Sequence, residues 1–153
     1  MMSALRGQCL CGAVTITVAG AHESNVGACH CRMCQRWTGG LFLCFEADGV
    51  TIEGPVNRFR SSPFSERGFC ATCGTHLFFH DDAAPADHYE LMPGLFDAAS
   101  GWPLRSEIYT DRRMAAVQLA GDQQVQQLLQ HVWRGHPGVG DSALHSRCAQ
   151  ASI

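Results

Sequence analysis

The sequence predicts a mainly β fold, one domain of short strands pinned by metal-binding cysteines, with a short helix towards its C-terminal end. Three observations lead there. Many short strand-like segments recur at regular spacing between turn signals, and one of them, Ala13–Val18, alternates with period two. Sixteen glycines against 8% aromatic residues suit a turn-rich β fold better than a helical bundle. Seven of the nine cysteines fall into three tight clusters, a spacing that lets thiolates converge on soft cations.

The elements follow in order. Ala13–Val18 (AVTITV) alternates β-branched and small residues and reads as a strand. Residues 20–27, polar and flanked by glycine, are expected to form a loop that delivers the second cysteine cluster. Leu41–Glu46 and Val50–Glu53 read as strands, with Ala47-Asp48-Gly49 as the turn between them. Asn57–Arg60 and Glu66–Phe69 flank a Ser-Ser-Pro turn, and His76–His80 continues from the third cluster as a further strand. Ala83–Asp87 is a loop, and Tyr89–Met92 is a short strand before Pro93-Gly94. Arg105–Tyr109 and Ala115–Leu119 can each pair at a sheet edge. Helix signals come only late: Asp122 can cap Gln123–Trp133, where Val125, Leu128, Leu129 and Val132 recur at helical spacing. After Gly135 periodicity fades, and that tail is expected to be poorly ordered. The organisation is thus one zinc-binding domain over residues 5–120 and a helix with a flexible tail over 121–153, without internal repeats.

At 153 residues the chain has the length of one domain with a real core. The segment Met1–Gly7 has no apolar stretch or cleavage signal, and no run approaches the roughly 18 apolar residues that span a membrane. The expectation is a soluble, cytoplasmic protein without a membrane partner. The formal charge is −3, and seven thiolates with two Zn²⁺ would take it to about −6. So acidic a protein, lacking a Lys/Arg cluster with interleaved aromatics, is a poor partner for nucleic acid.

A disulfide framework is the competing use of nine cysteines. The odd number, the chain length and the bunching count against it, and Cys-x-Cys pairs are poor disulfide partners. Cys70-x-x-Cys73-Gly74 has the spacing of a zinc knuckle, its glycine suited to a left-handed turn. Cys9-x-Cys11-Gly12 offers a second pair, and together they make a closed Cys₄ set. Such a site can supply on the order of 10–16 kcal/mol of apparent folding free energy. Cys29-x-Cys31-x-x-Cys34 places three ligands within six residues and leaves the fourth open. Cys44, His30, His76 and His80 are candidates to close it, although Cys44 also reads as a plain strand cysteine and the histidines as surface, core or supporting residues. Otherwise water or a substrate thiol completes it. Three thiolates leave a zinc centre at −1, a weak Lewis acid but a soft one. It suits a sulfur ligand better than water activation, and a thiol bound there would be deprotonated.

The order C-x-C-G, C-H-C-x-x-C-x-R and G-F-C-x-x-C-G, with Trp37-Thr38-Gly39-Gly40, Phe59-Arg60-Ser61-Ser62 and Glu66-Arg67-Gly68-Phe69-Cys70, resembles the glutathione-dependent formaldehyde-activating family, also described as the domain shared with centromere protein V. The likeness runs from about Gly7 to Leu119. It implies a mostly antiparallel Mss4-like fold, or β-tent. It implies a structural zinc on Cys9, Cys11, Cys70 and Cys73 and a catalytic zinc on Cys29, Cys31 and Cys34, hence two Zn²⁺ per chain. The implied activity is condensation of formaldehyde with glutathione to S-hydroxymethylglutathione, the work of a carbon–sulfur lyase. Arg36, at the family's arginine position, would hold a substrate carboxylate, or serve as a surface or structural arginine. The family commonly carries a Trp a few residues past an aspartate near the end of the domain. Here Asp111–Ala116 has none.

Two functions compete. One is a zinc-dependent lyase joining or separating an aldehyde and a small thiol, with glutathione the default thiol partner. The other is a non-catalytic scaffold with two structural zincs, which requires a fourth protein ligand at the second site. A methionine-sulfoxide reductase shares the broad fold and a Cys₄ zinc but leaves the three-cysteine cluster without a purpose.

Overall fold

The computed structural model describes residues 4–120 and the backbone of Gln124–Gln126. Strands β1 (Leu5–Gln8), β2 (Thr15–Val18) and β3 (Val26–Cys29) precede a single helix, α1 (Arg32–Thr38). Then come β4 (Phe42–Ala47), β5 (Val50–Glu53), β6 (Val56–Ser62), β7 (Ser65–Cys70), β8 (His76–Asp81), β9 (Tyr89–Leu91), β10 (Leu104–Ile108) and β11 (Gln124–Gln126). Short 3₁₀ turns at Pro93–Leu95, Asp97–Gly101 and Thr110–Arg112 fill the connections around β10. The strands make a small sheet in the order β1-β2-β5 and a larger one in the order β11-β10-β3-β4-β9-β8-β7-β6.

The period-two pattern explains how the sheets pack. Val14, Ile16 and Val18 are buried while Thr15 faces solvent, so β2 covers the core with one face. Its register against β5 sets Ile16 opposite Ile52 and Val18 opposite Val50. The larger sheet contributes Phe42, Phe45, Leu77, Phe78, Phe79, Leu91 and Ile108 to the same core. The Ser-Ser-Pro turn joins β6 and β7 in an antiparallel hairpin as expected, and Ser62 and Ser65 tie it by a 2.6 Å hydroxyl contact. The strands expected around residues 13–18, 41–46, 50–53, 57–60, 66–69, 76–80, 89–92 and 105–109 are all present within a residue or two.

Five expectations need correction, the last of them at the C-terminal helix. The turn at Ala47–Gly49 does not close a β4–β5 hairpin: Ala19 N and Gly20 N donate to Gly49 O and Asp48 O, and β5 pairs with β2 in the other sheet. Gly49 permits this with φ +63° and a close approach to Gly20, where any Cβ would stand 2.8 Å from the Gly20 nitrogen. The expected loop over residues 20–27 ends earlier, because Val26 and Gly27 already belong to β3. A helix also forms well before the C-terminal region. Cys31, extended at φ −64° and ψ 155°, caps α1 by accepting from Cys34 N, and Gly39 ends it at φ +75°. Ala115–Leu119 is not a strand: Tyr109 turns the chain with φ 56°, and Val117 N donates to Met114 O in a turn.

Of the helix expected over Gln123–Trp133, the described residues Gln124–Gln126 form a strand, parallel to β10. The rest of that segment, the tail after it and Cys148 lie outside the described residues. β10 also pairs in parallel with β3, an arrangement that brings Cys29 beside Ile108. Among the described residues, no helix is long and apolar enough to cross a membrane.

Candidate metal centres

The four-cysteine set is built from two turns distant in sequence. Cys9 and Cys11 sit between β1 and β2, Cys70 ends β7, and Cys73 lies in the β7–β8 turn. Each turn folds back the same way: Gly12 N donates to Cys9 O at 3.0 Å and Gly74 N to Cys70 O at 2.8 Å. Both glycines are left-handed, at φ +76° and +75°. Val14 N donates to Cys9 Sγ at 3.2 Å, and Thr75 Oγ1 lies 3.1 Å from Cys73 Sγ. Cys9 and Cys11 sulfurs are 3.6 Å apart, Cys11 and Cys70 sulfurs 3.9 Å, and all four lie within 4.8 Å of one another. Tetrahedral zinc with bonds of about 2.3 Å needs sulfurs about 3.8 Å apart, so the set fits a soft cation.

The thiols of this set are unequal. Hydrogen bonds from Thr75, first through its side chain and then its backbone, hold Cys73 down to about 5. Cys11 goes the other way: its Ala13 backbone bond pulls it down, but Cys73, burial, Cys9 and Cys70 together push it up to about 12. Packing several sulfurs into one small volume forces some to keep their protons until a cation replaces them.

The second set comes from consecutive pieces of chain. Cys29 ends β3, Cys31 caps α1 and Cys34 lies one turn into that helix. The three sulfurs are fully buried and lie within 4.8 Å of one another. Cys34 N donates to Cys31 Sγ at 3.3 Å. Cys29 is pushed well above the usual thiol value by its neighbours Cys31 and Cys34 and by burial. Three convergent buried sulfurs of this kind can hold a soft metal ion, with a coordination position to spare.

The candidates to close that position have other partners. His30 is buried, yet its Nε2 meets Glu107 Oε2 at 2.9 Å, and Arg113 Nη2 meets the same oxygen at 2.6 Å. Cys44 Sγ donates to Glu90 Oε2 at 3.3 Å. His76 stacks on Trp37 with ring centroids 4.8 Å apart, and His80 Nδ1 faces the His88 carbonyl at 2.8 Å. Among the described residues, no fourth Cys, His, Asp or Glu joins the three-cysteine group.

Arg36 lies exposed in the last turn of α1, lining a cleft of about 290 Å³ with Arg32, Gln35, Gly39, Gly40 and Met114. Sequence reasoning did not single out two other groups. Arg67, fully buried in β7, donates through Nη2 to Cys34 Sγ at 3.4 Å. Glu107, fully buried in β10, anchors His30. In the sequence each reads as an ordinary strand charge, and only the fold sets Arg67 against Cys34 and Glu107 against His30.

This architecture and these cysteines define a β domain with two candidate metal centres, and comparison with known proteins places it. The chain belongs to the glutathione-dependent formaldehyde-activating enzyme family, whose sequence profile matches residues 4–112. It is 36% identical over 81 residues to an uncharacterized lyase of Schizosaccharomyces pombe (strain 972 / ATCC 24843), a match covering 51% of this chain and 58% of that protein. The chain therefore spans less than two thirds of that relative. A crystal structure of a Rhodobacter sphaeroides protein superposes with a TM-score of 0.52 at 20% identity, over 65% of this chain and 99% of the other, a likeness of fold.

Proposed function

We propose that this chain is a zinc-dependent carbon–sulfur lyase acting on adducts of an aldehyde with a thiol, in the first instance forming S-hydroxymethylglutathione from formaldehyde and glutathione. The observation that carries this reading is the three-sulfur cluster of Cys29, Cys31 and Cys34, which no other Cys, His, Asp or Glu among the described residues completes. Family membership and the lyase-named relative support it.

The four-sulfur set would hold a structural zinc, joining the β1–β2 and β7–β8 turns. A zinc on the three-cysteine set would supply a soft positive charge that keeps an incoming thiol ionised at neutral pH. The burial of Cys29, Cys31 and Cys34 excludes water from this volume. In the net reaction the thiol sulfur bonds the aldehyde carbon, the carbonyl π bond opens, and the thiol proton ends on the new hydroxyl oxygen. Arg36 and Arg32, flanking the cleft on the outer side of α1, offer two cations for the carboxylates of a peptide-like thiol.

Burial also favours a second reading, because all three sulfurs are shielded as in a structural site. In that reading the domain is a scaffold. One experiment separates the two: the rate of S-hydroxymethylglutathione formation with holo-protein freed of excess metal, against the spontaneous rate. Acceleration that is lost in Cys29→Ala supports the lyase, and a rate equal to the spontaneous one supports the scaffold.

A further inference from the structure

Arg67 is the largest fully buried side chain described, at 1% exposure. Its guanidinium lies over the rings of Phe79, Phe42 and Trp37, at 5.0, 5.5 and 5.8 Å from their centroids. Nη2 has one acceptor, Cys34 Sγ at 3.4 Å, and Nη1 is buried without an acceptor. Among the described residues, no carboxylate pairs with it: neighbouring Glu66 is engaged by Arg58, and Glu90 by Cys44. Guanidinium groups keep their charge, and a buried charge left uncompensated is strongly destabilising. Ring faces offset part of that cost but supply no counter-ion.

The nearest source of negative charge is the cysteine cluster, which Nη2 already meets at Cys34 Sγ. Three thiolates around a divalent cation carry a net charge of −1, in the same dry volume and against the same guanidinium. We propose that Arg67 is the counter-cation of the Cys29/Cys31/Cys34 centre: through Cys34 it neutralises the metal-loaded cluster, strengthens its hold on the metal, and lets an anionic sulfur ligand take the remaining position without like-charge repulsion. Arg67 is a positioning residue, since it acts through Cys34. Its free Nη1 donor is left for an acceptor atom that such a ligand brings. The charge is felt nearby: beside burial, Arg67 is what lowers the His76 imidazole, which stacks on the other neighbour, Trp37, at the edge of a cleft of about 460 Å³. This inference rests on metal occupancy of the second centre and not on the lyase chemistry.

The test is metal binding with Co²⁺, whose thiolate charge-transfer bands report coordination, in the full chain and in Arg67→Gln, Arg67→Met and Arg67→Lys. The wild type is expected to take two cobalt ions. In the neutral variants one of them is expected to bind about 10–100-fold more weakly, the other unchanged, with Lys recovering most of the loss. Glutathione should perturb the cobalt spectrum of the wild type and of Arg67→Lys at lower concentration than that of the neutral variants. Equal binding of both ions in all variants, or a Lys variant as weak as the Gln variant, overturns the role of Arg67 while leaving the lyase reading intact. A wild type that takes a single cobalt ion removes the second centre, and this role and the lyase reading with it. Should the Met and Gln variants fail to fold, the Lys variant alone decides: retained affinity supports a charge role, and selective loss of the second ion refutes it.

Discussion

His30 Nε2 lies 2.9 Å from Glu107 Oε2, and both side chains are buried almost completely. Although His30 stands between two clustered cysteines, its ring turns away from them towards β10, and its backbone N donates to Ile108 O. Gln35 also donates to the His30 carbonyl and, at 2.8 Å, to Arg112 O. The loop that carries Cys29 and Cys31 is therefore stapled to β10 and to the turn after it, and the shape of the three-cysteine centre depends on a carboxylate far away in sequence.

Glu107→Ala should destabilise the fold by about 3 kcal/mol, since it leaves the buried His30 ring and the Arg113 guanidinium without their shared acceptor. Urea unfolding measures this, and zinc content should fall at the same time because the Cys29–Cys34 loop loses its anchor. A change under about 1 kcal/mol with full zinc content would mean that the backbone bonds alone hold the loop.

The two cysteine sets should respond differently to mutation. Cys70→Ala should abolish cooperative folding, because the four-sulfur set joins two turns distant in sequence, β1–β2 and β7–β8, and has no substitute. Cys29→Ala should fold, retain one zinc and lose activity. Circular dichroism with elemental analysis reads both, and a Cys70→Ala variant that folds like the wild type, or loss of both metals from Cys29→Ala, would contradict the division into a structural and an open centre.

Gly68→Ala should cost about 1–3 kcal/mol through overpacking, because a Cβ there would stand 2.1 Å from Phe78 Cε1 with the ring fixed in the core. Gly94→Ala, where a Cβ would meet nothing within 4 Å, serves as the neutral control. Thermal unfolding of the pair gives the comparison, and equal melting temperatures would contradict the packing at β7.

Burial first, and then the charge of Arg67, lowers the His76 imidazole below its ordinary 6.5. The unfolded chain thus takes up that proton at a higher pH than the folded one. This contribution to stability is complete above pH 6.5 and declines as the pH falls through the window just below it. His76→Phe, which keeps a ring on Trp37, should flatten that part of the stability profile. An unchanged profile would mean that His76 does not titrate between the two states.

Much of this was legible in the sequence, for reasons that residues make plain. The strand around Ile16 shows period two because one face is buried, those around Phe42 and Leu77 read as short apolar runs because residues on both faces are buried, and the cysteine clusters appear directly as spacing. The grouping of Cys9 and Cys11 with Cys70 and Cys73 followed from two cysteine pairs, each with a trailing glycine, that together make four ligands. What escaped was set by distant partners. The α1 helix has seven residues and a cysteine cap, too short for periodicity and without the usual Ser, Thr, Asp or Asn signal. Strand β3 is held between β4, antiparallel, and β10, parallel, with Gly27 close against Ser106. Val125 follows β10 as a strand residue although its spacing from later apolar residues is helical, so sheet pairing overrides local pattern there. Arg67 and Glu107 look like ordinary strand charges until the fold places them against Cys34 and His30.

The central claim is that Cys29, Cys31 and Cys34 hold a zinc with room for a thiol, and zinc X-ray absorption with and without glutathione tests it most directly. With one four-sulfur and one three-sulfur site, the average should be about 3.5 sulfurs per zinc without thiol, rising to about 4 when glutathione is added. An average of about 4 that glutathione leaves unchanged would mean two closed structural sites, and would contradict the open centre on which the lyase reading stands.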